Sequence, residues 1–543
     1  MGAKLRSGIY LGRKSAVLLA VLLAALLLAL LVLAALLGRC TKDGRPRAGA
    51  EAPSSLTPSS VVPSVEPTAR PGPWDEWRLP STLTPVHYSL LLWPHLAPGL
   101  PEPRTHSGQV NITVRCRRAT DTVLLHSVEL DYGDVAVWGP LEEGAGPSGR
   151  SIPVSKLWLA PRHEYAVLEL RENLSVDGLY ELRLAFQGRI RNNPFLGGLF
   201  LNDYEDEGES RWLVASQLEP TAARSVYPCF DEPAMKATFN IGIVHHPSYV
   251  ALSNMPEIVN WTVTTFEITP KMSTYITAFV VCNFAYVSTT ERGNKIRIWA
   301  QKDATRNGFT EYALNITGPI FSFMEDLFNI SYPLSKTDLI AIPSMSSGAM
   351  ENWGLMTFQE TSLLHLPQDK FTNNKIRIAQ VISHEIGHQW FGNLVTMDWW
   401  NDLWLNEGFA SYLEHVGVHY IEPTVPLDII FSYYVVHPML HMDGKVMYQS
   451  LSDTDEEQQT NRLSSLFGEV TYWKGASIVR MLSSFLSEKL FIKALNSYLD
   501  AFSFSNAKQD DLWDQIQKVL FNISHVKAAH TSAFWFNGSL ATK

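Results

Sequence analysis

Residues 383–412 read S-H-E-I-G-H-Q-W-F-G-N-L-V-T-M-D-W-W-N-D-L-W-L-N-E-G-F-A-S-Y. His384 and His388 stand four apart, so on a helix their imidazoles leave one face at successive turns. That arrangement suits two nitrogens of one tetrahedral zinc, with Glu385 beside them to take a proton from water. Upstream, Ile376–Ile382 has the apolar spacing of a helix, which is the context the pair requires. Glu407 follows His388 by nineteen positions, leaving room for a loop and a second helix packed on the first. Two imidazoles and one carboxylate leave a fourth position for water, the mark of a catalytic site and not a structural one. The expected cofactor is therefore one zinc ion per chain, on His384, His388 and Glu407. The expected chemistry is hydrolysis by metal-activated water, with Glu385 as the base.

Working outward, residues 310–328, 403–421 and 470–502, like 372–396 around the His pair, carry apolar residues three and four apart. The second half of the chain is thus expected to be α-rich. Between Pro73 and about residue 286 the texture differs, with short runs rich in Val, Leu, Ile and Thr between turn clusters. Tyr88–Leu92, Val110–Val114, Val123–Leu125, Tyr165–Leu170, Tyr180–Phe186 and Trp261–Phe266 read as strands of a β-rich domain. A chain of 543 residues exceeds one ordinary domain, and the fold class expected is α+β multidomain.

Ala16–Leu37 is an unbroken apolar run of 22 residues, long enough as a helix to cross a hydrocarbon layer about 30 Å thick. It is too long for the apolar core of a cleaved signal peptide, and no small-residue cleavage site follows. The basic residues on its two sides nearly balance, so they do not orient it. Seven Asn-x-Ser/Thr sequons, at Asn111, Asn173, Asn260, Asn315, Asn329, Asn522 and Asn537, favour an extracellular or lumenal body. The expectation is a single-pass type II protein: cytoplasmic tail 1–15, membrane anchor 16–37, Pro/Ser-rich stalk 38–72, β-rich domain 73–286, catalytic domain 287–520, and tail 521–543. The net charge of −10 offers no basic face for a nucleic-acid partner. With four cysteines and no C-x-x-C pair, buried free thiols are expected in preference to a Cys116–Cys282 bridge. Cys229 is read as buried and not nucleophilic, because a zinc hydrolase needs no covalent thiol.

H-E-I-G-H followed by N-E-G-F-A at this distance resembles the gluzincin aminopeptidases of the aminopeptidase N type. G-A-M-E-N at 348–352 is similar to their second signature, and residues 213–239 to a third family segment. The resemblance covers about 73–520 and implies a β-rich, saddle-like domain followed by a thermolysin-like, α-rich catalytic domain. It also implies peptide substrates with a free N-terminus. Gln217, Glu219 and the segment Gly348, Ala349, Met350, Glu351 and Asn352 would bind that substrate. Glu351 would meet the α-ammonium, since a buried carboxylate is the natural partner of a fixed positive charge. Gly348 and Ala349 would let the substrate backbone approach closely. Tyr472 matches the tyrosine that donates to the oxyanion, while its neighbour Trp473 stands where relatives often have a small residue. Dimers occur in similar proteins, so a homodimer is a further implied partner.

Two rival readings follow. A thermolysin-type endopeptidase would share the zinc helix, but G-A-M-E-N and S-Q-L-E-P argue for recognition of a chain end. Family members also continue with further domains, whereas here the resemblance fades near Val519–Leu520. The chain is therefore expected to be a shortened form, and a non-catalytic binding or regulatory role is the alternative function.

Overall fold

Strand Leu83–Pro94 shows how the first half is built. From Tyr88 to Leu92 its residues alternate between core and solvent, the period of a sheet with one face covered. It pairs antiparallel with Thr105–Cys116 and parallel with Thr238–Val244, near the middle of an eight-stranded sheet. A three-stranded sheet (Thr120–His126, Tyr165–Leu174, Val154–Ala160) and a four-stranded sheet (Val250–Ser253, Phe279–Cys282, Glu209–Gln217, Gly198–Asp206) complete the β-rich region. Tyr88, Val110, Val123, Val167, Leu182 and Val280 all join one continuous apolar core. Five of the expected strand segments lie wholly inside strands, and the sixth is represented by Val263–Phe266. Cys116, Cys229 and Cys282 are free and buried, and burial pushes the Cys229 thiol well above its ordinary range.

This computed structural model describes residues 71–96, 105–142, 149–259, 262–366, 372–445, 450–452 and 463–523. The expected cytoplasmic tail (1–15), membrane anchor (16–37), all but the last residues of the stalk, and the chain beyond 523 lie outside the described residues. Among the described residues no helix is long and apolar enough to cross a membrane.

The second half opens with a five-stranded sheet, ordered Ala285–Glu291, Asn294–Ala300, Lys336–Ile342, Leu355–Gln359, Ala349–Met350. It takes in Ala285 and Tyr286, which the sequence reading left to the β-rich domain, because the whole first strand pairs with Asn294–Ala300. Lys336–Ile342 is buried throughout, as expected of a central strand with parallel neighbours on both sides. The edge strand Ala349–Met350 belongs to G-A-M-E-N.

The long helices are α1 (Glu311–Phe328), α2 (Thr372–Gly387), α3 (Trp404–Ile421), α4 (Gly475–Leu486), α5 (Glu488–Phe502) and α6 (Gln509–Ile523). Helix α2 stops at Gly387 and does not continue to 396: the chain turns through Gly392, at φ 138°, and Val395–Met397 pairs in parallel with Ser505–Ala507. The expected helix 470–502 is broken at Ser487, which has a left-handed φ of 68°. Helices α3 and α4 touch at Gly408 and Gly475: a Cβ on Gly408 would lie 2.9 Å from the Gly475 Cα. The missing side chains let the two backbones close up. Gly354, at φ 83°, meets the β-rich region just as tightly, since a Cβ there would lie 2.2 Å from the Asn254 carbonyl oxygen.

Candidate active site

His384 and Glu385 sit in the last turn of α2, and His388 follows the final helical residue. The turn still holds, because the His388 amide donates to the His384 carbonyl at 3.1 Å. Glu407 lies in the first turn of α3 and is 2% exposed. The three donor atoms converge. Nε2 of His384 and Nε2 of His388 are 3.0 Å apart, and each is 3.2 Å from Glu407 Oε2. A tetrahedral zinc with bonds of ~2.0–2.1 Å has edges of about 3.3 Å, so residue types and spacing both fit the ion.

The far side of each imidazole is also held. His388 Nδ1 donates to the Phe391 carbonyl at 3.0 Å, which would leave Nε2 as the atom offered to a metal. His384 Nδ1 faces Glu414 Oε2 at 3.5 Å, and Gln380 donates to the other Glu414 oxygen at 2.9 Å. Sequence reasoning missed Glu414. It stands seven residues after Glu407, two helical turns along the same face, and that spacing was the available signal.

Electrostatically the site is rich in carboxylates. Burial pushes Glu385 up to about 8 against the pull of both imidazoles, and Glu351 and Glu407 reinforce the rise. Burial raises Glu351 as well, and raises Glu219 with help from Glu351, Glu407 and Glu385. Glu407 goes the other way: burial would raise it, yet His388 and His384 hold it well below its usual range. Oε2 of Glu385 and Oε1 of Glu351 and of Glu219 are sealed from solvent with no hydrogen-bond partner. Buried acceptors without a partner, gathered beside donor atoms that could hold a cation, make a candidate binding site for a positively charged group.

Met350, Glu351 and Asn352 are buried, and one acceptor atom each from Glu351, Glu385 and His388 lies within 4.8 Å of the others. Gln217, at the end of its strand, donates to Met350 Sδ at 3.3 Å and keeps its own carbonyl oxygen unpartnered. Ala349 and Met350 pair with Phe358 and Thr357, and Asn352 donates to Thr357 Oγ1 at 3.4 Å. A Cβ at Gly348 would meet nothing closer than Ser362 Oγ at 3.5 Å, so no contact within the chain requires glycine there.

Tyr472 occupies a π-helical turn, Val470–Lys474, directly before α4. The Gly408–Gly475 contact brings that turn onto α3, and the Tyr472 ring stacks on His384 with centroids 6.0 Å apart. Its hydroxyl bonds Glu407; burial and the carboxylates of Glu407, Glu219 and Glu351 keep it protonated far above the ordinary tyrosine range. Trp473 packs away from the site, against the Phe431–Val435–Ala476 cluster. Tyr275 was not singled out in the sequence, and it reaches in from the β-rich region. It donates to the Gly392 carbonyl at 3.2 Å and accepts from Asn406 at 3.2 Å.

Residues 84–276 match the Peptidase M1 N-terminal domain, and residues 312–532 match the Peptidase family M1 domain. Aminopeptidase Q of Homo sapiens is 51% identical over 97% of this chain and 56% of its own length. Aminopeptidase Q of Mus musculus is 49% identical over 98% of this chain and 100% of its own length. Aminopeptidase N of Canis lupus familiaris is 41% identical over 85% of this chain and 48% of its own. The chain thus spans the whole of the mouse relative and about half the length of the human and canine ones.

Proposed function

The chain belongs to peptidase family M1, and on that premise we propose that it is a zinc aminopeptidase removing single residues from the free amino ends of peptides. The observation that carries this reading is the meeting of His384, His388 and Glu407 beside unpartnered carboxylate oxygens of Glu385 and Glu351. Zinc, when bound, would polarise the scissile carbonyl and lower the pKa of a water.

The remaining roles fall to the chain. Glu385, buried and basic, takes the proton of the attacking water and passes it to the leaving nitrogen. The Tyr472 hydroxyl stays protonated and donates to the oxygen that gains charge. Glu351 and Glu219 hold the substrate ammonium, with Gln217 beside them. An internal peptide bond brings no ammonium to this pocket, and desolvating two carboxylates against a neutral group is costly. Exopeptidase specificity follows.

The apolar run 16–37 would anchor the protein as a single-pass type II membrane protein with its body extracellular or lumenal. Exposed Asn173, Asn315 and Asn329 would then carry glycans. Association as a homodimer is part of the same reading.

A second reading, a non-catalytic binding form, is favoured by one feature. Ile429, Tyr433, Tyr434, Leu440, Met481 and Phe485 are all exposed on the short helices of 427–443 and on α4, and exposed apolar groups of this size suit a partner.

One experiment separates the two. Purified protein should carry stoichiometric zinc and cleave an aminoacyl arylamide but not its N-acetylated form. Folded, zinc-loaded, inactive protein would support the binding form, and equal cleavage of both substrates would point to an endopeptidase.

A further inference from the structure

The segment between the zinc helix and the next strand forms a set of contacts that the mechanism has not used. Two side-chain amides converge on one backbone oxygen. Gln389 Nε2 donates to the Glu351 carbonyl at 3.2 Å, and Asn393 Nδ2 donates to the same oxygen at 2.9 Å. The orientation of both amides is set by their other partners. Gln389 Nε2 also donates to the Glu385 carbonyl at 2.8 Å, and Gln389 Oε1 accepts from Asn393 Nδ2 at 3.2 Å. Each nitrogen therefore faces only acceptors. Asn393 and Gln389 are fully withdrawn from solvent, at 0% and 1% exposure.

The loop that carries Asn393 is itself pinned from the β-rich region. Lys236 Nζ donates to the carbonyls of Asn393 at 3.3 Å, Leu394 at 3.4 Å and Ser505 at 2.9 Å. Tyr275 holds the Gly392 carbonyl, and the Asn393 amide donates to the His388 carbonyl at 3.0 Å. The residue offered to the substrate ammonium is thus tied through its own backbone to the turn bearing Glu385 and His388.

We infer that Asn393 and Gln389 are positioning residues that fix the distance from Glu351 to the zinc ligands, and so set how far a bound ammonium lies from the reacting carbonyl. The inference rests on the aminopeptidase reading. A pairwise latch of this kind is needed because Glu351 follows a two-residue edge strand, whose outer side has no neighbouring strand among the described residues. Misplacing a binding group by about 1 Å costs up to about a hundredfold, so modest slackening is measurable.

The test compares two ligands on zinc-loaded protein by calorimetry: leucine hydroxamate, and the same hydroxamate lacking the α-amino group. Wild type should prefer the amino form. Asn393→Ala should shrink that preference about tenfold while affinity for the des-amino ligand holds within about twofold. Gln389→Met, which keeps the volume and removes the donor, should do the same and decides the matter where Asn393→Ala does not fold. Unchanged preference in a folded variant, or equal weakening of both ligands, overturns the positioning role and leaves the aminopeptidase reading intact. A wild-type protein that binds both ligands alike overturns that reading, and the positioning role with it.

Discussion

The Lys336–Asp338–Arg297 cluster and the Glu351–Glu385–Glu219 cluster both hold charge away from solvent, yet they are wired in opposite ways. Asp338 accepts from Arg297 Nη2 at 2.7 Å, Lys336 at 2.7 Å and Trp299 Nε1 at 2.9 Å. Lys336 also donates to the carbonyls of Ser253 at 2.6 Å and Gly354 at 2.8 Å, which stitches the β-rich region to the catalytic sheet. Each charged group there has its complement. The other cluster gathers like charges and leaves an oxygen of each carboxylate without a donor. The consequences show in proton affinity. Lys336 and Arg297 hold the Asp338 carboxyl below its usual range although burial pushes it up, whereas burial lifts Glu385, Glu351 and Glu219. A satisfied cluster serves the fold, and an unsatisfied one is built for a ligand.

The contrast can be broken most sharply at Glu385. Glu385→Gln should lower kcat about 10²–10⁴-fold with no loss in melting temperature, because it replaces a buried carboxyl whose Oε2 had no hydrogen-bond partner. A variant that loses stability in step with activity would erase the distinction. Asp338→Asn should do the reverse. Denaturant unfolding should show a loss of about 3–5 kcal/mol, since Lys336 and Arg297 are left facing a neutral group, while turnover per folded molecule stays the same. Next comes Tyr472→Phe, expected to lower kcat about 10²–10³-fold with bound metal and KM retained. A change confined to KM would instead place the ring in substrate binding.

The smallest effect is in pH dependence of the metal-free protein, where the two clusters should differ in sign. Glu385 is raised from 4.5 to about 8, so its contribution to stability is full below pH 4.5 and is lost as pH rises through about 8. Asp338 is depressed, so its contribution is present above its ordinary value of 3.8 and is lost as pH falls through the lower folded value. Thermal melts of metal-free wild type and Glu385→Gln should therefore diverge progressively between pH 5 and 8, with wild type the less stable at the high end. Parallel curves would mean that the imidazoles neutralise Glu385 completely.

Much of this was legible in advance because its signals are local. The i, i+4 His pair, the Glu407 that follows and the alternation in strands such as Tyr88–Leu92 are periodicities, and periodicity is written along the chain. Helix ends were less legible. Within 388–396 only Gly392, at φ 138°, marks a turn, and that Val395–Met397 then becomes a strand depends on Ser505–Ala507, more than a hundred residues away. Tyr275, Gln389 and Asn393 were not legible either. Each is an ordinary residue type whose part in the site depends on what lies opposite it.

The sequence by itself determined the candidate set, His384, Glu385, His388 and Glu407, since ligand chemistry and helical spacing suffice to select it. Only the tertiary structure decided how Glu351, Glu219 and Tyr472 reach that set. Their approach requires backbones to close at Gly408–Gly475 and Gly354–Asn254, and a polar latch to hold an edge strand in place. Close packing and buried hydrogen bonds act between residues distant along the chain, so their result appears only once the chain has folded.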